Sequence, residues 1–155
     1  MVIFQAQKKD TKMLASLAVQ LWPNHTQQEL EEEFSGLMED GKTVFFLCEQ
    51  EGKAAGFAQC SLRNDYVEGT ESSPVGYLEG IFVCPAYRKQ GYARRLLSAC
   101  ESWAEGQGCL EFASDCELHN KDSLHFHLQA GFVEANRIIC FVKQLHSRNS
   151  EDVDC

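Results

Sequence analysis

The sequence predicts a single α/β domain of the α+β type, in which a mixed, mostly antiparallel central sheet is flanked by helices. Runs rich in β-branched and aromatic residues alternate with segments of helical periodicity, and polar turns separate them. A chain of 155 residues also has the size of one domain with a proper core. We expect the domain to span residues 1–145 and the polar tail, residues 146–155, to be disordered.

The first part of the chain predicts one strand and two helices. Val2–Gln7 alternates loosely between apolar and polar residues, which is typical of a strand. Leucines at helical spacing predict a helix over Asp10–Leu21. Thr26 and Glu29 match a capping box, which predicts the start of a second helix that Gly41 ends.

The middle of the chain predicts three strands. Two β-rich runs, Thr43–Glu49 and Ala54–Leu62, flank a turn at Glu51-Gly52 and therefore predict a hairpin. The polar segment Asn64–Pro74 predicts a loop. The apolar run Val75–Val83 predicts the next strand, and its internal glycine suggests a bulge or a close approach of something else to the backbone.

The last part predicts two helices and three strands. A helix follows the Cys84-Pro85 loop and runs to about residue 105. A strand over Cys109–Ala113 and a short helix over Asp122–Gln129, closed by a glycine, come next. Phe132–Val133 and Arg137–Val142 predict the last strands.

Composition and charge narrow the class of protein. A formal net charge of -9 argues against a nucleic-acid binder, because phosphate neutralisation needs a basic face. The acidity either attracts a cationic ligand or serves only solubility. No apolar run has the length that spans a bilayer and no signal peptide precedes the first strand, so we expect a cytoplasmic protein without a membrane partner.

The eight cysteines predict reduced thiols. They are scattered along the chain and form no CxxC pair, and several lie inside apolar runs. Small buried thiols in a protein without an export signal are typical of core packing, not of disulfides. No histidine has a metal-ligand partner at diagnostic spacing either, so we expect no metal.

One helix start in this acidic chain is basic. Arg88, Lys89, Arg94 and Arg95 surround Gly91, directly after the strand that ends at Val83. A helix N-terminus carries partial positive charge and normally favours acidic side chains. The cluster therefore indicates an anionic ligand that uses both the backbone N–H groups and the cations.

The segment Arg88-Lys89-Gln90-Gly91-Tyr92-Ala93 fits the pattern [QR]-x-x-G-x-[GA]. With the order of the surrounding elements, it resembles the GCN5-related N-acetyltransferases. The loop DYVEGTESSPVG, the run EFASD and the spacing Asn120…His127…Gly131-Phe132 resemble the aminoglycoside 6′-N-acetyltransferases within that superfamily. The resemblance extends from about Val2 to Leu145.

The resemblance implies acetyl-CoA as cosubstrate and an aminoglycoside as acceptor. The implied coenzyme-binding residues are Ile81, Phe82, Val83, Arg88, Lys89, Gln90, Gly91, Tyr92, Ala93, Arg94 and Asn120. The implied residues of the acceptor pocket are Trp22, Tyr66, Glu79, Asp115 and Asn136, the last at a position where relatives often carry an acid. Glu79 and His127 are the candidate catalytic residues, one at the acceptor amine and the other at the coenzyme thiolate.

Each site residue also has a purely structural interpretation. Glu79 lies in an apolar strand and could face solvent instead of an amine. Asp115 could be a turn residue, and Trp22 a core residue at a helix end. His127 shares a helix face with leucines and could be a structural histidine instead of a proton donor.

The sequence thus predicts direct transfer of an acetyl group to the 6′-amino group of aminoglycosides, a reaction that gives antibiotic resistance. Acetylation of another polyamine or of a protein lysine stays open, as does a non-catalytic sensor of acyl-CoA. We also expect a homodimer, because the run Ile138–Val142 would leave an apolar edge and relatives in this family form dimers. Tyr66 would then contribute to the partner's pocket; alternatively, its loop folds over its own site.

Overall fold

The computed structural model describes residues 1–146. One five-stranded sheet forms its centre, with the strands in the order β1-β2-β3-β4-β5. The strands are β1 Val2–Gln5, β2 Thr43–Gln50, β3 Lys53–Arg63, β4 Val75–Val83 and β5 Phe112–Ser114. The helices are α1 Thr11–Leu21, α2 Gln27–Leu37, α3 Tyr92–Gly106 and α4 Lys121–Gln129. Neighbouring strands run antiparallel except β4 and β5, which are parallel, so the predicted mixed sheet is confirmed.

Helices cover both faces of the sheet. Alternate residues of β2 point to opposite sides, because side chains along a strand have a period of two. Phe45 packs with Phe34 of α2 in one buried cluster, whereas Val44 packs with Leu96 of α3 in another. The two clusters make a core on each side of the sheet, and they hold the central strands rigidly in place.

A bulge interrupts the pairing of β3 with β4. Gln59 lies opposite Gly80 and Cys60 lies opposite Leu78, so Glu79 is an extra residue on β4 without a partner on β3. Such a residue bends its strand and locally disrupts the ladder. The bulge that the glycine suggested is therefore present, and it lies directly before Gly80.

The strands β4 and β5 separate soon after they meet. Their ladder contains three pairs, from Gly76 opposite Phe112 to Leu78 opposite Ser114. β5 ends at Ser114, whereas β4 continues along β3 as far as Val83. The sheet thus has a fork at Ser114, and no other strand within residues 1–146 pairs with the far side of β4 beyond it.

The prediction of two C-terminal strands is wrong for the described residues. Phe132–Val133 and Arg137–Val142 form neither strand nor helix, and the described residues offer them no neighbouring strand. A β-rich run needs ladder partners as well as propensity, and Arg137–Val142 has none among residues 1–146. Residues 147–155, which hold most of the predicted tail and Cys155, lie outside the described residues.

The structure also bears on the cysteines and on membrane-spanning helices within residues 1–146. The seven cysteines within residues 1–146 are all free thiols. No helix in that range is long and apolar enough to cross a membrane.

We predict that Gly80→Ala lowers the free energy of unfolding by about 1–3 kcal/mol, the usual effect of overpacking. A Cβ at Gly80 would lie 2.5 Å from the Trp22 ring, which would have to move. Gly36→Ala is the matched control, because a Cβ there meets no atom within 4 Å and alanine favours a helix. Urea unfolding compares the two, and a Gly80→Ala variant as stable as the unsubstituted protein would contradict the contact.

Candidate active site

A cavity of about 950 Å³ opens beside the fork. Its wall contains the end of β3, the loop after it, the end of β5, part of α4 and the irregular segment that follows α4. Tyr66, Asp115, His127 and Asn136, four of the predicted site residues, line this one cavity. Glu79 and Trp22 are not among its lining residues.

Asp115 directly follows β5 and is exposed to the cavity. The hydroxyl of Tyr77, a buried residue of β4, donates a hydrogen bond to its Oδ2. Burial raises the pKa of Tyr77 far above its ordinary value, and the bond to Asp115 raises it further. Tyr77 therefore remains a donor that fixes the carboxylate of Asp115 at the cavity wall.

Glu79 is held by two residues of β3. Its Oε1 accepts a hydrogen bond of 2.6 Å from Ser61 Oγ and one of 3.1 Å from Arg63 Nε. Its Oε2 lies 2.9 Å from Arg63 Nη2, so the ion pair is bidentate. The charged carboxylate in an apolar strand is thereby satisfied, and its orientation is fixed.

Arg63 is a site residue that sequence reasoning missed. Its guanidinium carbon lies 3.4 Å from the centre of the Tyr77 ring, and its side chain reaches Glu79 as well. A signal was present, because a glutamate in an apolar strand needs a partner and Arg63 directly follows the strand predicted over Ala54–Leu62. The register that brings Arg63 beside Glu79 could not be read from the sequence.

His127 lies on α4 and is half-buried between β5 and the segment that follows α4. Its Nδ1 is 2.7 Å from the main-chain oxygen of Ser123, and its Nε2 is 2.7 Å from Ser114 Oγ. The rings of Phe126 and Phe132 pack against the imidazole. These contacts fix the imidazole beside Ser114, the last residue of β5 in the β4–β5 ladder.

The basic loop before α3 has the backbone of an anion site. Gly91 has a φ of 86° and Lys89 a φ of 61°, so the chain turns sharply just before the helix begins at Tyr92. No side chain within residues 1–146 caps this helix and its first turn holds no acid, which leaves its first N–H groups for a ligand. Arg88 and Arg94 are anchored by hydrogen bonds to the carbonyls of Val83 and Gln129, at 2.8 and 2.7 Å.

The other predicted coenzyme residues lie around this loop. Ile81, Phe82 and Val83 form the part of β4 beyond the fork. The Gln90 side chain donates to the carbonyl of Ala86, and Ala93 is part of α3. Tyr92 is buried in the core with Leu96. Asn120 caps α4, since its side-chain oxygen accepts from the Ser123 N–H at 3.1 Å.

Two predicted acceptor residues have clear structural contacts. Trp22 packs edge-on against Phe34 and Phe57, and its ring covers Gly80. Asn136 Nδ2 donates to Glu68 Oε1 at 3.1 Å, which joins the segment after α4 to the loop that carries Tyr66. That loop is also anchored by Val67, which is buried with Val75 and Tyr77. Tyr66 therefore lies in the wall of its own chain's cavity.

Metal chemistry has no candidate ligand set in the described residues. No group of three or more histidine, cysteine, aspartate or glutamate side chains within residues 1–146 is placed to hold an ion.

Comparisons of the sequence and of the structure with known proteins agree on one family, the acetyltransferases. A sequence profile of the Acetyltransferase (GNAT) family matches residues 11–132. The chain is 40% identical over 139 residues to an aminoglycoside N(6′)-acetyltransferase type 1 from Stenotrophomonas maltophilia, covering 90% of each chain. It is 41% identical over 140 residues to the protein of the same name from Klebsiella aerogenes, covering 88% of this chain and 91% of that one. The solved structure of AAC(6′)-Iy with the bisubstrate analogue CoA-S-monomethyl-acetylneamine superposes with a TM-score of 0.88 at 37% identity, covering 92% of this chain and 97% of that one.

Proposed function

We infer that this chain, which belongs to the acetyltransferase (GNAT) family, transfers an acetyl group from acetyl-CoA to the 6′-amino group of aminoglycosides and so gives resistance to them. The observation that carries this inference is a cavity rich in carboxylates, which opens directly beside the fork in the sheet. A polycationic acceptor fits that cavity, and the relatives named above act on such acceptors.

The residues of this chain fit acetyl-CoA as the acetyl donor. The uncapped start of α3 and the turn at Gly91 suit a pyrophosphate, and Arg88 and Lys89 add positive charge. Beyond the fork, the main-chain N–H and C=O groups on the β5 side of β4 have no partner strand within residues 1–146. They are therefore suited to hydrogen bonds with the amides of the pantetheine arm. The coenzyme supplies the reactive thioester.

The charge of the cavity favours a polycation. Within residues 1–146, six carboxylates and two guanidinium groups line it. Arg63 is paired with Glu79 outside the lining and Arg137 with Glu134 inside it, which leaves five lining carboxylates for a cation. The lining acids are Glu68, Glu101, Glu111, Asp115, Glu117 and Glu134. Asp115 is the best placed to hold an ammonium group, because it lies at the fork and Tyr77 fixes it.

The residues around the fork have different roles in the proposed reaction. Asp115 binds the substrate near its reacting amine. Glu79 lies outside the cavity lining, on Arg63 of the cavity wall, and therefore takes up the proton of the ammonium group through a water molecule. Ser61 and Arg63 fix the direction of the Glu79 carboxylate. The amides of β4 stabilise the oxyanion that develops on the acetyl group. Most of the acceleration comes from holding the amine and the thioester together.

Two other functions make different demands on the same residues. An enzyme for a protein lysine or another polyamine would share the coenzyme residues but would not need the carboxylates of the cavity to match an aminoglycoside. A non-catalytic sensor would bind acyl-CoA without releasing free coenzyme. Release of CoA in the presence of kanamycin excludes the sensor, and a higher kcat/KM for kanamycin than for spermidine or a lysine peptide excludes the other enzymes.

We predict that Gly91→Glu abolishes measurable binding of acetyl-CoA in calorimetry. The substitution introduces a negative charge and a side chain at the proposed pyrophosphate site. Gly108→Glu is the matched control, since both glycines have positive φ angles and open space where a Cβ would lie. If both variants lose the same affinity, backbone strain explains the loss and the assignment of the loop is wrong.

We predict that Asp115→Asn weakens kanamycin binding by about 30-fold, which corresponds to about 2 kcal/mol for one lost charge contact. The affinity for acetyl-CoA stays unchanged. Asp122→Asn, on the first turn of α4, removes an equal charge outside the cavity lining and serves as the control. An aminoglycoside Kd that Asp115→Asn leaves unaltered in calorimetry would remove this residue from the pocket.

We also propose a homodimer. The segment 137–145 holds five large apolar side chains that are mostly exposed, from 71% at Ile138 to 99% at Val142. Exposed apolar residues so close together mark an interaction surface, and a second copy of the chain is the partner that is always present. The packing of the Tyr66 loop on its own chain supports a pocket that each subunit completes by itself.

Sedimentation velocity tests the dimer. We predict that the unsubstituted protein sediments as a dimer and that Phe141→Glu sediments as a monomer, because a charge would be buried in the interface. Val2→Glu, at an exposed apolar residue on the first strand, is the control and stays dimeric. An unsubstituted protein that is monomeric at all concentrations would contradict the proposal.

A further inference from the structure

The hydrogen bonds of His127 determine where its protons lie. A main-chain carbonyl can only accept, so the 2.7 Å contact between Nδ1 and the oxygen of Ser123 requires a proton on Nδ1. In the neutral ring, Nε2 is then an acceptor, and the Ser114 hydroxyl, 2.7 Å away, donates to it. In the charged ring, Nε2 carries a proton and donates to Ser114 Oγ instead.

Both ring nitrogens of His127 are therefore engaged by the protein. The imidazole has no N–H directed at a ligand, and the rings of Phe126 and Phe132 pack against it. A proton that leaves Nε2 has Ser114 Oγ as its acceptor. If His127 provides a proton to the coenzyme, that proton passes through Ser114.

Ser114 lies where such a proton is needed. It is the last residue of the β4–β5 ladder, at the fork beside which the thioester would lie. Its other contacts are long, at 3.5 Å to the carbonyls of Leu78 and Asp115. When the ring is charged, the serine hydrogen is thus free to turn away from Nε2 and into the fork.

We propose that Ser114 is the catalytic residue that protonates the sulfur of coenzyme A, with His127 as the positioning residue and proton store behind it. The proposal rests on the proposed function. As the carbon–sulfur bond breaks, its electron pair stays on sulfur. Ser114 gives its hydroxyl proton to that sulfur and receives the Nε2 proton of the imidazolium. The amine nitrogen has by then bonded to the acetyl carbon, and it gives its surplus proton to water as the amide forms. The other products are a free thiol and a neutral His127, which takes up one proton from the solvent.

The test compares Ser114→Ala with Ser114→Thr, which retains the hydroxyl. General acid catalysis contributes roughly 100-fold or more, so Ser114→Ala should lower kcat by about that factor with unchanged KM values and unchanged CoA affinity. Ser114→Thr should recover most of the rate. Ser98→Ala, on the exposed face of α3, is the control that keeps kcat.

Double substitution separates a relay from two independent roles. If the pair acts as a unit, Ser114→Ala combined with His127→Gln loses no more activity than either single variant. A kcat of Ser114→Ala near that of the unsubstituted protein would overturn the proposal. Losses that multiply in the double variant would overturn it equally.

Nitrogen NMR of His127 provides a readout independent of turnover. We expect the proton of the neutral ring on Nδ1, and we expect CoA binding to shift the Nε2 resonance in the unsubstituted protein and in Ser114→Thr but not in Ser114→Ala. A neutral ring with its proton on Nε2, or a CoA-induced shift that persists in Ser114→Ala, would contradict the relay. If aminoglycosides are not acetylated, the proposed function fails, and the NMR result still decides for or against the contact of Ser114 with the coenzyme.

Discussion

The early separation of β4 from β5 is the constraint on which the proposed chemistry depends. Two parallel strands that paired along their whole length would saturate each other's main-chain groups and leave no room between them. Here the ladder ends after three pairs, while β3 holds β4 rigidly as far as Val83. One strand is thus fixed on one side and open on the other. The basic loop before α3 follows the end of β4 along the chain, and Asp115 and the Ser114–His127 pair lie where β5 ends.

Electrostatics at the opening follows from a few well-fixed groups. Ser61 and Arg63 hold the Glu79 carboxylate, and the stacking of Arg63 on Tyr77 connects this cluster to Asp115. A carboxylate fixed by several donors needs no reorganisation when a cation arrives, which is an advantage in binding and in catalysis. In the proposed function, the acidity of the cavity therefore serves to bind the substrate.

Much of this could be predicted from the sequence. The mixed sheet, its helices and the acetyltransferase family are confirmed, because hydrophobic period and the turn at Gly91 are local signals that tertiary structure did not override. The roles of individual site residues stay predictions. The partner of Glu79 was missed because the contact depends on the register of β3 against β4. The run Arg137–Val142 has strand propensity but no strand beside it in the described chain, so propensity alone gave a wrong assignment.

The central claim concerns one amino group, and a matched pair of acceptors tests it most directly. Neomycin and paromomycin differ in carrying an amino or a hydroxyl group at the 6′ position. The account predicts release of CoA with neomycin, a product whose acetyl group NMR locates on the 6′ nitrogen, and no comparable turnover with paromomycin. Equal turnover of both acceptors, or an acetyl group on another nitrogen, would contradict it.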